Sequence, residues 1–376
     1  MLKLIVVQAE FGDCLLLQSS DGSNSISILI DGGTSQTYER DLQPTISALP
    51  FKGKTLDLVI LSHIDNDHVL GLLDLFEDIK KDTEANIKEL TQIGGLWHNS
   101  YSDIVGEKVN NSPLMQNLFS SSSFSTIDIE SNTSRLPAIG ALKGVGEGRD
   151  LRKLAHSLHI PINPQFRGSL IVAADKYKNT KVGSMKFNIL GPTQKNLEKL
   201  RKVWNDWLRR RHKATTKTSD FRALQVLDAS IANLSSIMFM VECQGKKLLF
   251  TGDGLGEAVV EALSKRGLLD SQGRYHVDLM KVPHHGSERN ASREFFDSVT
   301  ADAYVISANG RDDNPSLATL EWIIESKRKK NKIITIFLTN RTNNTDKILQ
   351  KYDQNKFHYR FHFLKKGSHS LEIPLN

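Results

Sequence analysis

The apolar run Leu56-Asp57-Leu58-Val59-Ile60-Leu61 leads directly into Ser62-His63-Ile64-Asp65-Asn66-Asp67-His68. A short apolar run rich in branched side chains reads as a buried strand. The strand must end where the polar residues begin. Two imidazoles and two carboxylates then fall between His63 and His68. Nitrogen and oxygen donors crowded onto the end of a rigid strand are how a scaffold presents ligands to metal ions. A solvated polar turn is the bland alternative.

Four other segments can join that cluster, each placing ligand-capable residues beside a predicted strand. Leu29-Ile30-Asp31-Gly32-Gly33 ends a strand on a carboxylate, with glycines that permit a tight turn. Asn233-Leu234-Ser235-Ser236 precedes a strand. Leu249-Phe250-Thr251-Gly252-Asp253 ends on a carboxylate, and Val282-Pro283-His284-His285-Gly286-Ser287 on paired imidazoles. Alone, each is an ordinary turn, cap or surface pair. Their joint occurrence in this order is the signal.

The pattern along the chain supports such a scaffold. Strands are predicted at Leu2–Gln8, Cys14–Gln18 and Ser25–Ile30, with turn residues between them. A helix is expected after His68, with Leu70, Leu72, Leu73, Leu75 and Phe76 apolar. Residues 110–135 are rich in Ser and Asn and read as loop or partly disordered. A short helix is expected over 150–160, and a strand over Phe187–Leu190. From Gln194 to Lys213, Leu197, Leu200, Trp204, Trp207 and Leu208 recur at helical spacing. The last third alternates strands (Ile237–Glu242, Lys247–Phe250, Val277–Val282, Ala303–Ser307, Lys332–Leu338) with helices over 255–266, 292–299 and 316–329. A strand meander followed by βα units, in both halves, suggests two sheets face to face with helices outside.

Composition enters where it excludes. Two cysteines, Cys14 and Cys243, are too few for a disulfide framework or a thiolate zinc site. Cys14 reads as core. The first strand is too short for a signal peptide, and no run reaches the ~18 apolar residues of a membrane span, so a soluble cytoplasmic protein is expected. The net charge is +6, and Lys195 to Lys217 alone holds nine Lys/Arg against two Asp/Glu. The face of the predicted helix opposite its apolar residues carries Lys195, Lys199, Lys202, Arg209 and Arg210, and Arg211 and Lys213 add to the basic end of the helix. With Lys327-Arg328-Lys329-Lys330 and Lys332 it suits an anionic partner such as nucleic acid. The competing reading is a solvated helix face.

The ordered motifs resemble the metallo-β-lactamase fold, which implies an α/β, four-layer αββα sandwich with metals at the open edge of its sheets. The family's His-x-His-x-Asp-His cluster, bridging Asp and final His correspond to His63-Ile64-Asp65-Asn66-Asp67-His68, Asp253 and His284/His285. Asp65 stands where most members have His, and Asn233 at another usual His. Those departures resemble the soluble domain of ComEC-type DNA-uptake proteins. So do Gly12-Asp13-Cys14, the Asn233/Ser236 pair, Met280-Lys281-Val282-Pro283-His284-His285-Gly286-Ser287 and Ile306-Ser307…Asn314-Pro315. The usual His before that proline is Asn314. The likeness spans roughly residues 1–100 and 230–345 of a single 1–376 domain, leaving 97–230 as a long insertion between the first metal motif and the Asn/Asp motifs.

The resemblance implies two divalent ions, Zn²⁺ or Mn²⁺, with Mg²⁺ admissible. His63, Asp65 and Asn233 serve one, Asp67, His68 and His285 or His284 the other, and Asp253 bridges both. Asp31, Ser236, Ser287 and Asn314 support them from behind, and Lys281 and Ser287 could bind a phosphate oxygen. Two metals can supply hydroxide at neutral pH, which implies hydrolysis, with a phosphodiester of DNA or RNA the leading substrate. Asp67, Asp253, His284 and Lys281 are the residues expected to carry the reaction. Two rivals stand beside this: hydrolysis of a small ester, thioester, lactone or cyclic nucleotide, and a non-catalytic metal-containing binding or assembly module. His98 could approach the cluster from the insertion, although a core or surface histidine reads as well. A protein partner in a multi-component system is also expected.

Overall fold

A computed structural model describes residues 1–21, 24–49, 55–105, 137–174, 179–213, 233–326 and 332–375. The chain opens with β1 (Leu2–Val7), β2 (Leu15–Asp21) and β3 (Asn24–Ile30), then a wide helical turn at Tyr38–Leu42 that runs into α1 (Gln43–Ser47). Next come β4 (Thr55–Leu56), β5 (Leu58–Ile60), α2 (Asn66–Glu84), β6 (Gln92–Ile93), β7 (Leu96–Trp97) and α3 (Tyr101–Val105). The middle supplies α4 (Pro137–Ser157), β8 (Asn179–Val182), β9 (Met185–Gly191) and α5 (Gln194–Lys213). The second half runs β10 (Met238–Cys243), β11 (Lys246–Phe250), α6 (Gly256–Lys265), β12 (Tyr275–Lys281), α7 (Arg293–Ser298), β13 (Val299–Ile306), α8 (Leu317–Glu325), β14 (Ile334–Leu338), α9 (Asn343–Lys351), β15 (Tyr359–Phe363) and β16 (Ser370–Pro374).

One sheet has the order β16-β1-β2-β3-β5-β7, and the other β15-β14-β13-β12-β11-β10-β9-β8. Strand alternation sorts their side chains into layers. Leu2, Leu4 and Val6 of β1 enter a shared core with Leu58, Ile60, Phe187, Phe239, Val241, Leu248 and Phe250, which fills the space between the sheets. The alternate residues Ile5 and Val7 face the other way, against Val69, Leu72, Leu75 and Phe76 of α2 and Leu151 of α4. Met238, Met240 and Leu249 of the second sheet turn outward to Val259, Phe295, Leu320 and Ile348 of its four covering helices. The result is helix, sheet, sheet, helix: the expected αββα sandwich.

Parallel pairing decides where loops gather. β3, β5 and β7 are parallel neighbours, as are β11, β12 and β13. Their C-terminal ends open on one edge of the sandwich, the edge where open α/β sheets bind ligands. Asp31, His63 and His98 follow the first set; Asp253, His284/His285 and Ser307 follow the second.

The 97–230 stretch is partly built into the frame. β9 pairs with β10 and β8 with β9, extending the second sheet. The short helix expected over 150–160 is the end of the longer α4, which packs on α2. The Ser-rich stretch 110–135 and the Lys327–Lys330 run lie outside the described residues.

Candidate metal centre

Asp65 occupies the N-cap of α2, where an aspartate usually accepts a bond from the first helical amides. It makes no such bond; its carboxylate lies 3.5 Å from His63 Nε2 instead. Asp67 and His68 stand in the first turn of the same helix. Glycines bring this turn against the sheet. Gly12 abuts the Asp67 backbone oxygen, and a Cβ there would sit 2.1 Å from it. Gly32 donates to the His68 carbonyl at 2.7 Å, and a Cβ on Gly32 would lie 2.3 Å from the Leu72 nitrogen. The backbone therefore fixes where Asp67 and His68 point.

The second sheet supplies the other half. Asp253 follows β11, and the turn after β12 carries His284 (φ 45°), His285 (φ 55°) and Gly286 (φ 85°), all left-handed. Two imidazoles in that conformation are strained by about 1–3 kcal/mol each. His284 N donating to Gly252 O and Ser316 N donating to Gly286 O hold the turn.

Four imidazoles converge on one carboxylate oxygen. Asp253 Oδ2 is 3.5 Å from His63 Nε2, 3.4 Å from His68 Nε2, 3.5 Å from His284 Nε2 and 3.6 Å from His285 Nε2. Asp67 Oδ2 lies 3.2 Å from His285 Nε2 and 3.9 Å from His68 Nε2. On the far side every Nδ1 is held by an oxygen. His63 Nδ1 meets Ser62 Oγ at 3.0 Å, and His68 Nδ1 meets Asp31 Oδ2 at 2.9 Å. His285 Nδ1 meets the Ser307 carbonyl at 3.0 Å, and His284 Nδ1 meets Asn290 Oδ1 at 2.5 Å. Ser62 Oγ already donates to Asp31, and the Asn290 amide donates to the Asp253 carbonyl. These partners can only accept, so each neutral ring carries its proton on Nδ1 and turns a lone pair inward from Nε2. Ligating histidines have this arrangement.

The inner atoms have the character of a cation site. His63 Nε2, His68 Nε2, His285 Nε2 and Asp253 Oδ1 are buried without a hydrogen-bond partner. Buried polar atoms are normally paired, and orphans clustered on one point call for a bound group. Asp13, His68, Asp253 and His285 each place a potential ligand atom within 4.8 Å of the others. The donor set therefore fits divalent metal.

Electrostatics agree. Burial alone raises a carboxyl's pKa, but the imidazoles of His284, His68, His285 and His63 hold Asp253 well below the usual range. Asp67, half-buried at the rim, is lowered to about 2, where His68 and His285 outweigh the effect of burial. Burial and the His68 charge push His63 down, yet Asp253 and Asp65 outweigh them and raise it to about 9. A cation entering this cluster exchanges with protons.

Expected supports fall in several places. Asp31, at φ 58°, accepts from Ser62 N and Ser62 Oγ, both at 2.7 Å, besides holding His68. Asn233 lies beside His284, its Nδ2 3.3 Å from Nδ1, and its Oδ1 is buried and unpartnered. Ser236 Oγ is likewise buried and unpartnered. Ser287 closes the histidine turn through its backbone. Asn314 belongs to the 310–314 turn, bonded to Gly310 and Arg311 through its backbone. Cys14 is core, as expected. His98 is buried, and burial with the Arg152 charge lowers it to about 4.

Lys281 is where expectation and geometry part. Expected to bind a phosphate oxygen, it is buried, and its ammonium contacts the Asp13 carboxylate. Its ammonium also donates to the Gly252 carbonyl at 3.3 Å and lies 3.9 Å from Asp253 Oδ1.

Asp13, Ser62, Asn290 and Ser307 received no role in the sequence reading. Asp13, Ser62 and Ser307 stand inside motifs already singled out. Asn290 had no motif, only its place five residues beyond His285.

The basic helix α5 packs through Leu197 and Leu200, contacts the Asn233–Ser235 turn and exposes Lys195, Lys199 and Lys202. The side chains of Trp204, Trp207, Arg209, Arg210, Arg211 and Lys213 lie outside the described residues. Among the described residues no helix is long and apolar enough to cross a membrane.

No curated protein matches the chain. Among solved structures, the metallo-beta-lactamase fold protein YhfI from Bacillus subtilis is 12% identical, covering 99% of this chain and 100% of its own, with a TM-score of 0.41. Zn²⁺-bound PqqB from Methylobacterium extorquens is 11% identical over 96% and 87%, also with a TM-score of 0.41. Similarity at that level decides nothing. The sequence match is firmer: residues 8–161 fit the family model of the Metallo-beta-lactamase superfamily, which names no narrower branch. With its αββα layers and its donors gathered at the strand ends, the chain carries the metallo-β-lactamase superfamily fold.

Proposed function

We propose that this chain is a dinuclear metal-dependent phosphodiesterase acting on polynucleotide, DNA in the first instance. One observation carries the reading: four imidazole nitrogens gather within 3.4–3.6 Å of a single Asp253 oxygen, flanked by Asp65 and Asp67. That is more donors than one ion needs. His63 and Asp65, with Asn233 nearby, would hold one ion; His68, Asp67 and His285 the other; Asp253 would be shared. When bound, such a pair lowers the pKa of water and clamps the oxygens of an in-line displacement at phosphorus.

The protein's own residues orient and exclude. Asp31 fixes His68, Asn290 fixes His284, and the sandwich core shuts water out from behind. The His284 side chain is 29% exposed, against 5% or less for the other three imidazoles. Once protonated on Nε2 as well, it is the one placed to pass a proton to a leaving oxygen. Lys195, Lys199 and Lys202 of α5, beside the Asn233 turn, supply phosphate contacts that position a strand. The resemblance to ComEC-type DNA-uptake domains favours DNA.

The test incubates metal-loaded protein with labelled single- and double-stranded DNA and RNA under Mn²⁺, Mg²⁺ and Zn²⁺ in turn. Salt-sensitive cleavage is expected, and its loss in Asp67→Ala and Asp253→Ala with the fold retained. Turnover of small esters with polynucleotide untouched would overturn the substrate class; full activity in either variant would overturn the site.

A further inference from the structure

Lys281 is buried among groups that belong to the metal centre. Its ammonium contacts Asp13, donates to the Gly252 carbonyl at 3.3 Å and lies 3.9 Å from Asp253 Oδ1. Asp13 is buried too. Its Oδ1 is 3.4 Å from His285 Nδ1, and its Oδ2 4.0 Å from His68 Nδ1. Asp13 thus approaches both rings on the Nδ1 edge, away from the point where the Nε2 atoms meet. It is close enough to count among the four clustered donors, yet it already holds a cation.

We propose that Lys281 and Asp13 form a fixed internal ion pair, in which Asp13 holds the ammonium off Asp253, the ligand that two divalent ions would share. The inference rests on the dinuclear reading and goes beyond it. Five carboxylates, Asp13, Asp31, Asp65, Asp67 and Asp253, surround the four imidazoles. Lys281 cancels one charge, and the four that remain match two divalent ions. Buried charges persist when paired, and an unpaired one takes what counter-charge it can reach. An ammonium deprived of Asp13 has Asp253 as the carboxylate left to it, and so competes with the ions for their shared ligand. An Asp13 deprived of Lys281 adds negative charge behind His68 and His285 and repels no cation. Removing the two partners therefore acts on metal binding with opposite signs. A purely structural pair acts with the same sign. Asp13 is accordingly a positioning residue, acting on Asp253 through Lys281.

The experiment counts manganese per chain by mass spectrometry after loading and gel filtration, and measures Mn²⁺ affinity by calorimetry. Wild type is expected to hold two ions. Asp13→Asn binds about tenfold more weakly or worse, on the scale of a missing supporting carboxylate. Lys281→Met keeps both ions without losing affinity. The double variant Asp13→Asn with Lys281→Met returns to within about threefold of wild type, the coupling expected of contacting residues. Wild-type affinity in Asp13→Asn, a double variant as weak as that single one, or loss of an ion in Lys281→Met each overturns the proposal. Should Asp13→Asn not fold, Lys281→Met and the double variant decide, and an ion lost from either overturns it. A wild-type chain that takes up no metal overturns this proposal and the hydrolase reading together. Two ions in wild type with no phosphodiester cleaved overturns the substrate reading alone, and the variants still decide this one.

Discussion

Asp31 does three jobs with two oxygens. It accepts from the Ser62 backbone and hydroxyl and holds the His68 ring. Through Ser62 Oγ it also reaches His63. One carboxylate therefore sets the tautomer of two candidate ligands, whose rings lie 4.1 Å apart. Removing such a supporting partner typically costs 10–100-fold in metal affinity. Asp31→Ala is expected to lose about that much, read by competition with a chelator, while circular dichroism stays native. Unchanged affinity would mean that the rings are held by the ions alone. Asp31 was legible in the sequence because a carboxylate at a strand end beside glycines is unusual. Asn290 was not, because a side chain that closes a loop onto His284 leaves no periodic trace.

Two helices carry separable predictions. On α2, burial together with Glu77 and Glu39 raises Asp74 from an ordinary 3.8 to about 6. A folded-state value above the unfolded one means that the folded chain holds the proton more tightly. The stability this lends is complete below about pH 4 and is lost as pH rises through about 6. Asp74→Asn should therefore raise the melting temperature at pH 7 and leave it unchanged near pH 4; an equal gain at both would point to helix propensity instead. On α5, Lys199→Glu with Lys202→Glu should weaken polynucleotide binding uniformly across sequences. The slope of log affinity against log salt should fall by roughly one for each phosphate left without its lysine. A slope that does not move makes α5 a solvated face. Elements with a clear period were readable: α2, α5, and β9 to β14 of the second sheet to within a few residues, but not its outer strands β8 and β15. β4, β6 and β7, at two residues each, are too short to show a period. β16 could not be placed, since its pairing with β1 joins the two ends of the chain and no local pattern reports it.

The candidate ligands come from both sheets: His63, Asp65, Asp67 and His68 from the first, Asp253, His284 and His285 from the second. Near them the sheets are stitched by Ile237 N donating to Ser62 O at 2.8 Å and Ser307 Oγ donating to Gly12 O at 2.5 Å. An ion held by both sides binds the assembled sandwich and not the unfolded chain. Binding at a hundred times Kd then stabilises the fold by about 2.7 kcal/mol per site. Saturating Zn²⁺ or Mn²⁺ should raise the melting temperature in a single cooperative transition, and Asp253→Asn should remove most of that gain. A shift that survives in Asp253→Asn would place the ions elsewhere. The layered architecture was readable because alternating apolar strands need two covered faces. The interior cation was not, because Lys281 looks the same in sequence whether it faces solvent or a buried carboxylate.

The left-handed backbone at His284 and His285 also governs which replacements a selection experiment can recover. Valine, isoleucine or threonine at either position meets steric conflict before ligand chemistry is tested, so a saturation library there is filtered first by shape. Asparagine, aspartate and glycine pass that filter most easily. Survivors drawn from that small set would carry information about coordination; absence of the branched residues would carry none.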